Sequence, residues 1–277
     1  MQFFRDMPYN PFLATGLLAG LLAGVACGVV GPYVVTKRIV FLSGAVAHMA
    51  VAGIGAAIWL AYALPALAWF QPLHGAMLAA LLGALLIGLI HRRSDERIDT
   101  LIGALWAIGM AAGILLIKLT PGYHTELMSY LFGNITLVKP GQVALLAWLD
   151  VVILAVVVLF HKRLLAVCLD EQHAELQGIN VLATNLVLLM LVALTVIALA
   201  QVVGLILVIA LLTLPAATAG RHAGRLSTMM LGSTLLCLAL TTLPRIAVYG
   251  TAISPESAIV LAAGAVYLAS VWLDRKR

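Results

Sequence analysis

The amino-acid sequence predicts an all-α protein that crosses a membrane about nine times, within a range of eight to ten. Of its 277 residues, 64% are hydrophobic and 10% are charged, and the mean hydropathy is +1.12, well above that of soluble domains. The hydrocarbon of a bilayer is about 30 Å thick, so a spanning helix needs about 20 mostly apolar residues. Several runs of this length occur, and residues 1–277 are expected to form one transmembrane domain.

Apolar stretches between charged, proline and glycine residues define the predicted spans. They cover residues 12–36, 40–62, 74–91, 100–118, 141–160, 182–200, 203–219, 226–244 and 257–273. The first span is interpreted as a retained helix, because no small-residue cleavage site follows a short apolar core. The division at residues 200–204 has alternatives, since 182–219 could also form one bent helix or a span followed by a re-entrant segment.

The lysines and arginines are distributed unequally between the two sides of the predicted spans. Twelve lie in one set of loops and at the C-terminus, and four lie in the other set. The positive-inside rule then predicts an N-terminus outside the cytoplasm and a C-terminus inside it. We therefore interpret the net charge of +5 as a sign of which loops face the cytoplasm. With no soluble basic domain, the lipid bilayer is an expected partner and nucleic acid is not.

The first span carries a stripe of small residues on one helix face. Its glycines recur every four residues, at Gly16, Gly20, Gly24 and Gly28. Missing side chains let another helix approach closely. We expect helix packing within the chain here, in preference to a dimer interface. The three widely spaced cysteines are also interpreted as packing residues, because they give neither a disulfide framework nor a zinc-binding spacing.

Two connections between spans are long enough to have structure of their own. On the cytoplasmic side, residues 161–180 predict a short amphipathic helix that ends at Gly178. Such a helix could lie on the membrane surface or dock into a soluble partner. On the outer side, residues 120–141 predict an interfacial helix. No phosphate-binding loop, H-E-x-x-H or G-x-S-x-G motif occurs, which removes the usual grounds for nucleotide binding or hydrolysis by this chain.

Two ionisable residues lie inside predicted spans, His48 in the second and Asp150 in the fifth. At ~1.5 Å per residue they lie about 12 Å and about 15 Å from the inner edge. A charge at this depth costs about 2.5–3.5 kcal/mol on insertion scales, so a function is expected. An imidazole and a carboxylate suit zinc, manganese or ferrous iron. The alternative is a neutral histidine bonded to a backbone carbonyl, with Asp150 protonated or paired with a hydroxyl.

The outer side contains a second set of candidate ligands, His74, His124 and Glu126. These residues could form an access site for a metal ion, or they could simply be solvated. The four remaining histidines lie on the cytoplasmic side near other charges and are not expected to bind metal.

Several motifs together resemble one known family, the ABC-3 permeases of bacterial zinc, manganese and iron importers. The strongest is "QVVGLILVIALLTLPAATA" (201–219), which is similar to the family signature almost position by position and contains Gln201, Gly204 and Pro215. Further matches are "DTLIG" (99–103), "LFGN" (131–134) and the spacing of Asp170, Ala174 and Gly178.

The resemblance implies a multi-pass permease of the bacterial cytoplasmic (inner) membrane, similar in fold to cobalamin and siderophore importers. It implies a homodimer on two cytoplasmic ABC ATPase subunits, with an extracytoplasmic metal-binding protein docking from outside. The segment 161–180 would then be the ATPase-coupling segment, with Asp170, Ala174 and Gly178 in it. ATP hydrolysis would belong to a separate chain, so this chain would not be an enzyme. The divalent metal would be a substrate, with no tightly bound cofactor.

One position departs from the family pattern. Members commonly carry an aspartate four residues before the histidine, whereas "SGAVAH" keeps His48 and has Gly44 at the aspartate position. We hypothesise that Asp150 supplies the missing carboxylate. The alternatives are a permease for a metal chelate such as a siderophore, a membrane enzyme that uses His48 and Asp150 as acid and base, and a passive channel.

Overall fold

The computed structural model describes residues 2–67, 69–93, 97–121 and 138–274. Within these ranges every regular element is helical, which confirms the predicted all-α class. The helices are α1 (Gln2–Asp6), α2 (Pro11–Thr36), α3 (Val40–Ala63), α4 (Pro72–Arg93), α5 (Ile98–Lys118), α6 (Pro140–Leu169), α7 (Glu171–Leu176), α8 (Val181–Val203), α9 (Leu205–Gly220), α10 (Leu226–Ala247) and α11 (Pro255–Asp274), with one 3₁₀ turn (Pro65–Leu67) after α3.

Eight helices in the described parts of the chain are long and apolar enough to cross a membrane, namely α2 to α6, α8, α10 and α11. Helix α9 corresponds to the predicted span 203–219. It is apolar but has only 16 residues, fewer than the roughly 20 that a full crossing needs. The expected range of eight to ten spans is confirmed, and the orientation of the termini stays a prediction.

Helices α8 and α9 are separated by Gly204. This residue has φ +80° and ψ 158°, a conformation that glycine adopts at little cost because it has no Cβ. Its N–H donates to the Ala200 carbonyl at 3.0 Å, and its carbonyl accepts from the Val208 N–H at 3.1 Å. Residues 182–219 therefore form two helices and not one bent helix.

Helix α3 packs tightly against α4 and α5 through glycines. A Cβ atom on Gly53 would lie 2.0 Å from the carbonyl oxygen of Gly75 in α4, and one on Gly55 would lie 2.6 Å from that of Gly113 in α5. No side chain fits at such distances, so the helix backbones touch. We call α3, α4 and α5 the α3 group.

Helix α2 is the centre of a second group, because α6, α9 and α10 all pack against it. A Cβ on Gly28 would lie 2.3 Å from the Cα of Thr234 in α10, and one on Gly24 would lie 3.2 Å from Leu238. The same helix also buries Gly16 and Gly20. Gly24 and Gly28 of the stripe therefore lie against α10 of the same chain, and the packing role of the whole stripe stays a prediction. We call α2, α6, α9 and α10 the α2 group.

Helix α8 joins the two groups. It packs against α3 and α4 on one side and against α2, α6 and α9 on the other. Val192 and Val196 in the middle of α8 have no solvent exposure. The α3 group and the α2 group therefore share one hydrophobic core through this helix.

Helix α6 is longer than the predicted span, which was expected to end at residue 160. It continues to Leu169, because residues 161–169 contain no proline or glycine and bury Leu164, Val167 and Cys168. At ~1.5 Å per residue, 30 residues extend about 45 Å, more than the thickness of the hydrocarbon. The first half of the predicted 161–180 connection is thus a continuation of α6.

The three cysteines are free and buried. Cys27 and Cys237 have no solvent exposure, and Cys168 is 8% exposed. Their environment agrees with the expected packing role, because a free cysteine in a core behaves as a small apolar residue.

Candidate functional site

His48 lies half-buried on α3 and faces α5. Its ring stacks on the indole of Trp106, with 4.7 Å between the ring centroids and 26° between the ring planes. Its Nδ1 atom is buried and has no hydrogen-bond partner among the described residues. The alternative in which this nitrogen bonds a backbone carbonyl is therefore not what this part of the chain shows.

The indole of Trp106 also fills the space next to Gly44. A Cβ atom on Gly44 would lie 2.3 Å from Cζ3 and 2.6 Å from Cη2 of Trp106. Position 44 is one helical turn before His48, so the two residues share a face of α3. The space where the resemblance places a carboxylate is thus occupied by an aromatic ring of α5.

Asp150 lies on α6 and is only 5% exposed. In the part of the chain that the structure describes, its Oδ2 atom is buried without a hydrogen-bond partner, so no hydroxyl there is paired with that oxygen. The carboxyl lies near the thiol of Cys27 on α2, which in turn lies near the thiol of Cys237 on α10. Asp150 therefore belongs to the α2 group, in surroundings that contain two thiols.

The two predicted ligands lie in different groups of helices. His48 contacts α5, Asp150 lies near α2, and α8 packs against both α3 and α6. In the described parts of the chain no hydrogen bond joins His48 to Asp150, and no set of three or more His, Cys, Asp or Glu residues is arranged to hold a metal ion. Joint coordination of an ion by these two side chains stays a prediction.

The predicted helix in the 161–180 segment is α7, and each of its three signature residues has a structural reason. Asp170 caps its start, because Oδ1 accepts a hydrogen bond from the His173 N–H at 3.0 Å. Ala174 is fully buried. Gly178 has φ +79° and ends the turn, and the N–H of Ile179 donates to the Ala174 carbonyl at 3.1 Å.

A charged network that the sequence did not reveal joins α7 to two long helices. Lys37, directly after α2, forms an ion pair with Glu171 of α7 and donates to the Val167 carbonyl at 2.9 Å. Asn185 of α8 donates to the same Glu171 oxygen at 3.0 Å. These side chains line a cavity of about 270 Å³, together with His91 of α4.

The electrostatics of Glu171 favour its charged form. Partial burial raises the pKa of this carboxyl, but the hydrogen bonds from Lys37 and Asn185, with the nearby charges of Lys37 and His91, lower it further than burial raises it. The net pKa lies below the ordinary value for glutamate. Glu171 is therefore a carboxylate at neutral pH and holds the end of α2, α7 and the start of α8 together.

Arg245 near the end of α10 is a second charged residue that the sequence did not single out. It is 3% exposed, and no described residue forms a hydrogen bond with its Nη1 or Nη2. Its guanidinium lies 5.8 Å from the ring centroid of Phe3 in α1, a cation–π distance. The short helix α1 therefore covers a cation, and the hydrogen bond from Tyr249 Oη to Asp6 at 3.1 Å holds α1 in place.

The outer access site and the family signature are described only in part. His74 is exposed near the start of α4, and its Nδ1 accepts from the Gln71 N–H at 3.2 Å. His124, Glu126 and the "LFGN" motif lie outside the described residues, so the access site stays a prediction. Of the signature residues, Gly204 separates α8 from α9 and Pro215 is buried within α9, while the side chain of Gln201 lies outside the description.

Curated relatives match this chain over nearly its whole length. A protein described as "Probable metal transport system membrane protein" from Chlamydia trachomatis serovar D is 37% identical over 269 residues, covering 96% of this chain and 90% of that protein. "Manganese import system permease protein ScaB" from Streptococcus gordonii is 29% identical and covers 96% of this chain and 92% of its own length.

A solved structure and a family comparison agree with these relatives. A chain of "PsaBC from Streptococcus pneumoniae in complex with Fab" superposes with a TM-score of 0.83 at 29% identity, covering 97% of this chain and 94% of that chain. The predicted permease fold is therefore confirmed. The ABC 3 transport family matches residues 9–274. With that match and a relative 37% identical over nearly its whole length, the chain belongs to the ABC 3 transport family.

Proposed function

We propose that the chain is the membrane-spanning permease subunit of an ATP-driven importer for a divalent transition metal ion, with manganese as the first candidate. One observation carries this proposal: relatives named for metal and manganese transport are similar to it along nearly its entire length. Zinc and iron are the next candidates, because they accept imidazole nitrogen and carboxylate oxygen as ligands, as manganese does.

We propose His48 and Asp150 as transient ligands on the transport path. The buried Nδ1 of His48 and the buried Oδ2 of Asp150 form no hydrogen bond with any described residue, so both have lone pairs to offer an ion. Because α8 packs against both groups, a movement of the α3 group relative to the α2 group changes the distance between these atoms. A site with few ligands suits transport, since the ion must be released again.

The proposed partners are a second copy of the chain, two ABC ATPase subunits and an extracytoplasmic metal-binding protein. Helix α7 is the proposed contact with the ATPase, because its caps are well formed while Leu176 is 87% exposed. A large apolar side chain that is this exposed to solvent is typical of a docking surface. The sequence has no phosphate loop, which fits ATP hydrolysis by a separate chain. The proposed orientation in the bacterial cytoplasmic membrane places α7 and the C-terminus inside.

The test is ATP-dependent uptake by the purified permease and its ATPase in proteoliposomes, with Mn²⁺, Zn²⁺ and Fe²⁺ compared separately. We expect uptake of Mn²⁺ by the wild type. His48→Ala and Asp150→Ala should each lower it by about tenfold or more, the range for loss of a group that supports a metal site. His222→Ala, which removes an exposed histidine that is not expected to bind metal, is the matched control.

Three results would contradict the proposal. ATP-dependent uptake of none of these ions would remove the metal-ion function, and preferential uptake of a ferric siderophore would favour the chelate permease. Wild-type uptake in Asp150→Ala would remove Asp150 from the site while leaving His48 in place.

A further inference from the structure

The side of His48 that faces α5 is closed by an aromatic ring. The stacking distance of 4.7 Å and the angle of 26° are those of an offset-stacked aromatic pair, a favourable arrangement. An imidazole held in this way loses freedom to rotate, so Trp106 fixes the direction in which the ring nitrogens point.

The position of the indole is fixed by close packing of α3 and α5 one turn further along. Met49 follows His48, and a Cβ on Gly109 of α5 would lie 2.9 Å from its sulfur and 3.0 Å from the His48 carbonyl oxygen. Trp106 and Gly109 are three residues apart on one face of α5. The indole therefore comes from a helix that has little room to shift against α3.

Gly44 is the counterpart of Trp106 on α3. The nearest ring atoms to a Cβ at position 44 are Cζ3, Cη2 and Cε3, at 2.3, 2.6 and 3.2 Å. These atoms are on the far edge of the indole, so even an alanine at position 44 would force the ring out of its present position beside His48. The stacked arrangement thus depends on two residues together, a glycine on α3 and a tryptophan on α5.

The chemistry of the indole explains what this arrangement does to a bound ion. Indole offers one N–H donor and no lone pair for a metal, and its faces are apolar. It therefore keeps the place one turn before His48 free of any ligand. An ion at His48 takes one nitrogen from α3 and completes its shell with water or with groups from other helices.

We propose that Trp106 is a positioning and specificity-determining residue of the His48 site, which orients the imidazole and restricts α3 to a single metal ligand. This inference rests on the proposed function, because it names what sets the ion preference of the same site. Removal of the indole lets the imidazole turn and admits water to the space beside it, so the relative uptake of different ions changes.

The experiment measures ATP-dependent uptake of Mn²⁺, Zn²⁺ and Fe²⁺ by the permease with its ATPase in proteoliposomes. Trp106→Ala is expected to change the ratio of Mn²⁺ to Zn²⁺ uptake by about tenfold, while Trp106→Phe, which keeps a ring, stays close to the wild-type ratio. Gly44→Ala is expected to shift the ratio as Trp106→Ala does. The double variant should match either single variant, because both changes remove the same stacked pair.

Two variants serve as matched controls. Gly103→Ala adds a Cβ on the same helix as Trp106, where no atom of the described residues lies within 4 Å of it. Trp148→Ala removes a tryptophan that is 63% exposed. Neither is expected to change the uptake ratio. A structural defect alone would lower uptake of all three ions together, so the ratio separates ion preference from folding.

Tryptophan emission gives a readout that does not depend on transport. Mn²⁺ is paramagnetic and quenches nearby fluorophores, so it should quench wild-type emission more strongly than that of Trp106→Phe. Equal quenching in the two proteins would overturn the inference, and so would unchanged uptake ratios in Trp106→Ala and Gly44→Ala. The proposed function would still stand in either case if the wild type takes up the ions. A wild type that takes up none of the ions would instead remove the proposed function itself.

Discussion

The α3 group and the α2 group each hold one of the two predicted ligands, but in different surroundings. His48 is half-buried beneath an aromatic ring, in a group whose helix backbones touch through glycines. Asp150 is almost fully buried in a group that also contains the thiols of Cys27 and Cys237. The difference shows that two ionisable residues in apolar helices can have unlike surroundings, because each takes its neighbours from the helices that pack around it.

The largest expected effect comes from separating the backbones of the α3 group. Gly53→Leu places a Cβ 2.0 Å from the Gly75 carbonyl oxygen, a clash that is relieved only if the backbones of α3 and α4 move apart. Overpacking of a core typically costs about 1–3 kcal/mol of stability and occasionally more. A clash with a helix backbone is expected to cost an amount at the upper end of this range. We expect a large fall in the yield and melting temperature of the purified protein.

Gly103→Leu on α5 is the control for this variant, because position 103 is open. It should melt close to the wild type. A Gly53→Leu protein with the stability of Gly103→Leu would mean that α3 and α4 are not in backbone contact.

The second prediction tests whether Asp150 is kept for function at the expense of stability. A buried polar group without a hydrogen-bond partner costs about 1–3 kcal/mol. Asp150→Leu should therefore raise the melting temperature and, if Asp150 binds the ion, reduce metal uptake. Differential scanning fluorimetry and the uptake assay measure the two effects on the same preparation. A destabilised Asp150→Leu protein would show that the Asp150 carboxyl has a partner in the α2 group that stabilises the fold.

A smaller effect is expected where α2 is tied to α6. The hydroxyl of the fully buried Tyr33 forms a hydrogen bond of 2.6 Å with Nδ1 of His161. Tyr33→Phe should lower the free energy of unfolding by about 0.5–1.5 kcal/mol, the usual net value of one hydrogen bond. Tyr62→Phe on α3, whose ring is 57% exposed, should change it little. Equal melting temperatures for the two variants would contradict a stabilising role for this bond.

The smallest effect concerns the ion pair of Glu171 with Lys37, because the Glu171 side chain is 41% exposed and partly screened. Glu171→Gln should cost about 0.2–1 kcal/mol at neutral pH. The pKa of this carboxyl is lower in the folded chain than its ordinary value. Its contribution is therefore present above the ordinary pKa of glutamate and is lost as the pH falls through the folded value.

The melting temperatures of wild type and Glu171→Gln should accordingly converge as the pH is lowered from about 7 to about 3. A difference that stayed constant over this range would mean that the charge of Glu171 does not contribute.

Much of the fold could be predicted from the sequence because its signals are local. Apolar runs of about 20 residues predicted the spans, Gly204 marked a break, and Gly178 marked the end of α7. The Asp170 cap at its start is a finding of the structure. The end of α6 could not be predicted, because residues 161–169 carry no helix breaker and the helix continues beyond the apolar run.

The site could be predicted only in its parts. An ionisable residue in an apolar span is visible in the sequence, so His48 and Asp150 were found. The stacking of Trp106 on His48 was not, because it depends on how α3 and α5 pack, and those residues are far apart along the chain. In the sequence, Gly44 stands out because a carboxylate is missing at this position. The structure shows that the Trp106 indole needs the space that a side chain at position 44 would fill.

The buried cysteines give a practical means of deciding which end of the molecule faces the cytoplasm. Because Cys27, Cys168 and Cys237 are shielded, a membrane-impermeant maleimide should react only with a cysteine introduced at the surface. Tyr9 and Leu176 are 88% and 87% exposed and lie at opposite ends of the bundle, before α2 and on α7. In intact cells, label on Tyr9→Cys but not on Leu176→Cys would place the N-terminus outside, without any need to remove the native thiols first.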